Sequence, residues 1–461
     1  MNVMRASQLT VDDAWLDHWS RFAAVLRFED IAASVTAHAR LVLLDTIGAI
    51  AAGAQEPEMV ALTRRMAELH GTGGISTAVI GGRARLPLPV AAFLNGTAGT
   101  MLELDEGNQY CRGHPAIHVV PAALAAADRR GASGRDLLRA LVLGYEIGAR
   151  IGIASTLRVT MHPHGTWGTV GAAVAVAALD GADAAMMRET INVASTLGLA
   201  TSRRTMLQGG TVRNAYAGVS NQLGLTAVEL VRAGFVGEPD GVATVFGTVS
   251  ADDFRPGEMT RELGTRWEIA RNYFKRHAAC RYTHAALDAL GAILAETGPV
   301  MPDEVAALEV DTYVWAAQLD DPAPRNMLAA KFSLPFALAT LIVNGNTGVA
   351  AFRDGAREDA ATRALAARVA VREDPAFTAA LPALRPARVT LTLRDGRRVQ
   401  REVMTNRGDA EAPYPAEDVV AKFVELAAPV WGVHSAATIR RAVETIDTAP
   451  DVRGLTSLLA G

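Results

Sequence analysis

The sequence predicts a mainly α-helical fold: a large helical domain over residues 1–273, a smaller α+β domain over 274–405, and helices over 406–461 that rejoin the first domain. Three observations predict it. Apolar residues recur at helical spacing, with almost no period-two alternation, across more than two hundred residues. Near Phe274 the pattern changes, and Leu308, Val310, Thr312 and Val314 alternate with Glu309, Asp311 and Tyr313 as in a half-buried strand. Residues 388–403 then read as a hairpin around Asp395-Gly396, a strong tight-turn pair, before helical spacing returns.

Each element has its own signal. The first thirty residues form an irregular helical entry. Asp30 is placed to cap a helix through Ile31, Val35, Leu43, Ile47 and Ile50. Pro57 starts the next, with Met59, Leu62, Met66 and Leu69 as its stripe and Gly71 as its stop. Residues 76–80 are extended, and Pro87 or Pro89 opens a helix that runs to Leu102. After a polar loop, residues 119–130 are helical up to Gly131, and Ser133 caps a helix over 137–153. Residues 168–179 are apolar on every face, which implies a buried helix. Helices follow over 182–199 and 220–232. A further one ends near Glu296, another runs through Ile342, and the tail carries helices over 416–426 and 435–446.

Composition narrows the class. The chain has 461 residues, 50% hydrophobic and 20% charged, enough for a sizeable core and two or three domains. A net charge of −4 gives no electrostatic footprint for nucleic acid. Cys111 and Cys280 cannot make a disulfide framework, which points to a reducing compartment. Residues 1–15 carry acids where a secretory leader has its apolar core. The apolar stretch 42–54 carries Asp45, and 168–179 is only twelve residues, so neither is expected to span a membrane. The expectation is a cytoplasmic protein without membrane or nucleic-acid partners.

Chemistry concentrates in loops that open helices. Residues 102–121 hold Asp105, Glu106, Cys111, Arg112, His114 and His118 in one short connection. A second cluster, His162-Pro163-His164-Gly165, opens another Ala-rich helix. No dinucleotide glycine fingerprint, phosphate-binding loop or GxSxG elbow is present. His114 and His118 stand four apart, but Pro115 lies between them and the glutamate of HExxH is missing, so no metal and no cofactor are expected. The remaining candidates are Asp105, His114, His162, Arg213, Tyr216, Lys275, Cys280, His284 and Lys331. Histidine suits proton transfer near neutral pH, and arginine and lysine bind carboxylates. Together they suit removal of a proton beside a carboxylate. Taken singly, each also has a structural reading: a satisfied histidine, a surface lysine, a helix-capping arginine or a small buried thiol.

The order of motifs along the chain resembles the MmgE/PrpD family, which includes 2-methylcitrate dehydratase, cis-aconitate decarboxylase and iminodisuccinate epimerase. The matching pieces are LDTIGAIAAG (44–53), FLNGTAGTMLELDEG (93–107), GHPAIHVVPAALAAA (113–127) and MHPHGTWGTVGAAVAVA (161–177). RNAYAG (213–218), GFVGE (234–238), FKRHAACRYTHAALDA (274–289), AAKFSLPFALA (329–339) and GDAEAPYPAEDVVAKF (408–423) complete the set. The resemblance implies a helical domain built from both chain ends, a smaller lid domain, a cofactor-free site between them and a homodimer. Carried over by motif, Asp105 and His114 match the family's Asp and the His of its HPS-like segment, and His162 the His of its HPTGT-like segment. Lys275 and His284 match its KPY and TH positions, and Lys331 its KFS-like lysine. The chain has Arg213 where the dehydratase and decarboxylase branches usually carry lysine, and Tyr216 where a histidine usually follows. Phe336 replaces a tyrosine, Cys280 a histidine of the decarboxylase, and His164 a threonine.

The resulting expectation is a cofactor-independent lyase of a small di- or tricarboxylic acid, dehydrating a β-hydroxy acid. His114 and His162 would be its acid–base pair and Asp105 an orienting group. Tyr216, Cys280 and His284 complete the expected catalytic set, and Arg213, Lys275 and Lys331 bind carboxylates. The alternatives are an epimerase or isomerase of an amino- or imino-dicarboxylate, a cis-aconitate-type decarboxylase, and a homologue that binds its ligand without turnover.

Overall fold

The computed structural model describes residues 14–71 and 73–461. The reading of the first thirteen residues lies outside them. The helices of the body are, in order, α1 (Ala14–Val25), α2 (Ala33–Gly53), α3 (Pro57–His70), α4 (Leu88–Thr100), α5 (Pro115–Arg130), α6 (Gly134–Ala154), α7 (Gly168–Leu179), α8 (Ala184–Ser195), the short α9 (Arg203–Leu207) and α10 (Ala215–Arg232). As its composition requires, α7 is buried at every position. It is surrounded by α5, α6, α8 and α10. Small residues set the spacing. A Cβ on Gly144 would lie 2.6 Å from the Gly171 carbonyl oxygen, and one on Gly171 2.8 Å from that of Gly144, so α6 and α7 meet backbone to backbone.

Helix ends follow local chemistry. Pro57 opens α3 and Gly71 closes it at φ 68°. The Ser133 hydroxyl accepts the Asp136 N–H at the start of α6. Two starts differ from the sequence reading. Asp30 does not cap α2: it ends a 3-10 turn, and its carboxylate takes the Arg27 guanidinium instead. The helix expected from Val119 begins at Pro115, whose fixed φ suits a first helical position, and Pro121 lies inside it.

Short strands interrupt the body. β1 (Ser76–Val79) and β2 (Ala84–Pro87) form a hairpin, and β3 (Ser155–Leu157) pairs with β4 (Ala251–Phe254). Elements of three or four residues are too short to show an alternation in sequence. The smaller unit holds a four-stranded sheet of β5 (Val305–Thr312), β6 (Val369–Glu373), β7 (Ala387–Leu393) and β8 (Arg398–Val403), ordered β6-β5-β7-β8. β5 and β6 are parallel and the other pairs antiparallel. The hairpin turns at Gly396, with φ 90°. Val314 leaves the strand to start a helical turn, Val314–Ala317. The helix His284–Thr297 covers β7 and β8.

The chain then returns to the body, where the helix Ala416–Trp431 lies along α2. Among the described helices, α2 has the length and apolar content to cross a membrane, with 21 residues rather than the thirteen of its most apolar stretch. It is a core helix, with 72% of its apolar window covered by the protein. Its buried Asp45 receives the Lys422 ammonium at 2.6 Å, and the same nitrogen donates to the Leu104 carbonyl at 2.5 Å. The C-terminal segment is thereby tied to the loop after α4. Lys422→Met is expected to cost about 3–5 kcal/mol in denaturant titrations, because it strands a buried carboxylate. Asp45→Asn combined with Lys422→Met should recover most of that loss; a double variant no more stable than Lys422→Met would contradict this account.

Candidate active site

The loop between α4 and α5 turns its two adjacent acids in opposite directions. Glu106 faces inward and caps α5. One carboxyl oxygen accepts the Ala116 N–H at 2.9 Å, and the other accepts the Tyr145 hydroxyl at 2.9 Å and the Asn272 amide at 3.3 Å. Burial pushes its pKa up to about 8. The Asn108 side chain turns the next residues by accepting the Tyr110 and Cys111 N–H groups. Cys111 is buried beneath them and its thiol is pushed up by burial, so it holds its proton.

Asp105 faces the other way, into a buried chain of charges. Lys275 Nζ stands 3.6 Å from Asp105 and 3.6 Å from Glu103, and donates to the Glu103 carbonyl at 3.1 Å. Glu103 pairs with Arg213, which comes from a 3-10 turn, Thr211–Asn214. Burial alone would raise the Asp105 pKa. His114, Lys275 and Arg213 outweigh it and hold the carboxylate below its usual range. Glu103 sits at φ 55°, a conformation non-glycine residues adopt at a cost and keep only when neighbours enforce it.

Four histidines gather against this chain. His114 precedes the first turn of α5. Its Nδ1 lies 2.6 Å from the Glu106 carbonyl oxygen and 3.0 Å from Asp105. The carbonyl can only accept, which assigns the proton to Nδ1 and leaves Nε2 with a free lone pair. His162 has the opposite polarity. Its Nδ1 accepts the His164 N–H at 3.1 Å, which assigns its proton to Nε2. His164 lies between the two, with ring centroids 4.6 Å from His114 and 4.9 Å from His162, and its Nε2 is 3.4 Å from the Arg213 guanidinium. Burial, with Arg213 beside them, holds His162 and His164 well below the ordinary histidine range, so both are neutral. His118 joins the two loops: its Nδ1–H donates to the His114 carbonyl at 2.8 Å, and its Nε2 accepts the Gly165 N–H at 3.1 Å. Gly168 leaves room for its ring, which a Cβ would approach to 2.3 Å.

These groups line a cleft between the body and the segment after Tyr273. His114, His162, Arg213 and Cys280 of the expected set stand on its wall, with Asp105 and Lys275 directly behind. The Cys280 thiol is pushed up to about 11 by burial, so it enters the chemistry as a thiol rather than a thiolate. Three expected residues do not reach the wall. Lys331 donates to the Met101 carbonyl at 3.0 Å and is pushed down to about 7 by burial. His284 accepts from Arg281 at 3.0 Å and packs on His277. Tyr216 packs beside Gly165 with its ring 6.3 Å from His162. All three support the wall from behind. The residues that sequence reasoning missed are His164, Glu103, Tyr273, Tyr282 and four further arginines, at 112, 203, 281 and 385. Of these, Arg112 in the 102–121 loop, His164 in the HPHG segment and Arg203 in the basic run Ser202-Arg203-Arg204 carried a sequence signal.

Donor atoms of Asp105, His114 and His164 lie within 4.8 Å of one another, a spacing that a metal ion would fit. The surrounding charge does not suit a cation: Lys275 and Arg213 stand at either end of the group. The same surroundings favour an anion.

A helical body with a buried, cation-lined histidine cleft under a small α+β unit defines a class of anion-binding, acid–base sites. The chain belongs to the MmgE/PrpD family: residues 17–251 match the MmgE/PrpD N-terminal domain and 277–448 the MmgE/PrpD C-terminal domain. It is 25% identical to the cis-aconitate decarboxylase-like protein oryM of Aspergillus oryzae over 95% of each chain. It is 24% identical to the cis-aconitate decarboxylase of Aspergillus terreus over 96% of this chain and 94% of that one. Against human cis-aconitate decarboxylase the identity is also 24%, over 93% and 90%.

The buried His118 titrates at about 4 in the folded protein, below the ordinary 6.5, because burial disfavours its charged form. The unfolded chain therefore takes this proton first, and the penalty on folding is absent above about pH 6.5 and grows as pH falls toward 4. His118→Leu removes both the hydrogen bonds and the penalty. In denaturant titrations it should be less stable than the parent by about 2 kcal/mol at pH 7.5, with a smaller gap at pH 4.5. A gap that widens on acidification would contradict the neutral, structural role of His118.

Proposed function

We propose that the chain is a cofactor-independent lyase of a small di- or tricarboxylic acid, dehydrating a β-hydroxy acid. The observation that carries this reading is the opposed polarity of the two histidines: His114 presents a lone pair and His162 an N–H. His114 Nε2 takes the proton on the carbon beside a carboxylate, and Asp105 stabilises the imidazolium that forms. Arg213, with Lys275 behind it, holds the charge that develops on the carboxylate as the C–H bond breaks. The neutral His162 donates its Nε2 proton to the departing hydroxyl, which leaves as water while the C–C double bond forms. Return of the His114 proton to solvent and reprotonation of His162 complete the cycle.

A second reading, decarboxylation of an unsaturated tricarboxylate, is favoured by the names of the relatives. It passes through a related anion, formed by C–C cleavage with release of carbon dioxide rather than by loss of a proton, and a proton then returns to carbon. Proton NMR in D2O separates the two. Supplied with 2-methylcitrate isomers, citrate and cis-aconitate in turn, the dehydratase creates or consumes vinylic signals, or loses the methine signal of 2-methylcitrate, with gain or loss of water. The decarboxylase instead yields an exo-methylene pair from cis-aconitate. Deuterium entering recovered substrate without elimination would favour epimerisation over both. His114→Ala and His162→Ala are each expected to lower kcat by about a hundredfold or more with little change in KM. Full turnover by His162→Ala would remove that histidine from the mechanism.

A further inference from the structure

The cleft holds more positive charge than the protein itself balances. Of the five arginines on its wall, Arg213 is paired with Glu103 and Arg281 with Asp409. The other three, Arg112, Arg203 and Arg385, pair with no carboxylate among the described residues. Arg385 is only 2% exposed. It donates to the Gln109 carbonyl through one terminal nitrogen, but its Nε has no partner among the described residues. The Nε of Arg203 is likewise buried and unpartnered. An unsatisfied N–H on a buried guanidinium is costly, and an uncompensated buried charge more so.

These arginines share one aromatic platform. The Arg385 and Arg203 guanidinium carbons lie 5.3 and 5.8 Å from the centre of the Tyr282 ring. Tyr282 stacks on Trp315 at 6.1 Å, and Arg112 stands 5.5 Å over Trp315. Arg385, Tyr282 and Trp315 come from the segment that carries the sheet, whereas Arg203 and Arg112 come from the helical body. The platform therefore spans the divide between the two, away from the Asp105–Lys275–Glu103–Arg213 chain.

We infer that Arg385 and Arg203, set on the Tyr282 ring with Arg112 beside them, are a clamp for carboxylates remote from the reacting carbon, and that it selects a tricarboxylate over a dicarboxylate. With one carboxylate held at the reacting end by Arg213, a tricarboxylate brings two more to the guanidiniums that lack a carboxylate partner among the described residues, and a dicarboxylate only one; arginine offers the paired donors that a carboxylate accepts. Because the clamp draws one partner from each unit, an occupied site also ties the lid to the body. The inference rests on the lyase reading only for the reacting end of the substrate.

Binding of unreactive probes tests it separately from turnover. Propane-1,2,3-tricarboxylate carries the full charge, and methylsuccinate is the same skeleton without one terminal carboxylate. By calorimetry at fixed ionic strength, the parent protein should bind the tricarboxylate about tenfold or more tighter. Arg385→Met and Arg203→Met should each bring the two affinities to within about threefold, because the tricarboxylate loses more of its binding than methylsuccinate does. Arg203 is half-exposed, so its variant carries the test if Arg385→Met does not fold. His162→Ala should keep the parental preference. A preference unchanged in Arg203→Met, or no binding of either probe by the parent, overturns the clamp. The expected pattern without turnover of any hydroxy acid would leave the clamp standing and remove the dehydration mechanism. Turnover with an unchanged preference would do the reverse.

Discussion

The buried charge chain Arg213–Glu103–Lys275–Asp105 is what the rest of this site depends on. It draws its members from three separate places: the loop after α4, the 3-10 turn before α10 and the segment that leads into the smaller unit. Four charges without solvent are tolerable only together. Removing any one strands its neighbour, which costs more than the pair contributes. That penalty fixes the relative placement of the three segments better than apolar packing would, since apolar packing tolerates a slide. It also explains how Glu103 is kept at a positive φ: its carboxylate and its carbonyl are both held, by Arg213 and Lys275.

The histidines take their chemistry from this frame. A histidine in solution presents either nitrogen to a substrate. Here the Glu106 carbonyl fixes His114 one way and the His164 N–H fixes His162 the other. Each assignment comes from a backbone group, so it does not depend on the identity of a neighbouring side chain. His118 then locks the two loops to one another, because it donates to the His114 residue and accepts from Gly165 in the HPHG turn. Glu106 does the matching work at the helix end, holding α5 at the register that brings His114 to the cleft.

Much of this was legible in the sequence, and what was not has a physical reason. Helices announced by Pro57, Ser133 and the all-apolar stretch at 168 stand where their capping and burial patterns put them. β6 escaped notice because it is a largely solvent-facing strand, recruited by its parallel pairing with β5. Asp105, His114 and His162 were readable as polar groups on loops that open apolar helices. Asp105 and Glu106 looked like one acid pair, yet adjacent residues in a tight loop face opposite ways: Asp105 backs the cleft-lining His114, and Glu106 caps α5. Lys331, His284 and Tyr216 are the right kinds of side chain at motif positions, but Lys331 donates to Met101, His284 accepts from Arg281, and Tyr216 packs beside Gly165 off the cleft wall. Arg203 and Arg385 gave the opposite lesson. What sets them apart is that neither pairs with a carboxylate among the described residues, and an absent counter-ion is a property of the fold that no local pattern records.

One physical distinction follows for the family's several reactions. In the proposed mechanism, base, acid and anion-holding charge are set by the frame near Asp105, and they suit dehydration, epimerisation and decarboxylation alike, since each passes through a related anion beside a carboxylate. What decides the outcome is which bond of that anion lies opposite the His162 proton. The frame does not set this, because it touches only the reacting end. The decision belongs to the groups that fix the far end of the substrate, where small displacements of a guanidinium rotate the whole ligand about its reacting carbon. The proposed clamp puts Arg203 on the body and Arg385 on the opposing segment at that lever's long end, both against the Tyr282 ring. Replacing a lysine by Arg213 keeps the charge at the short end but makes it planar and forked, which narrows the orientations that a bound carboxylate can take. On the proposed reading, reaction type in this architecture is set by orientation at the two arginine-bearing ends, with the acid–base pair held constant between them.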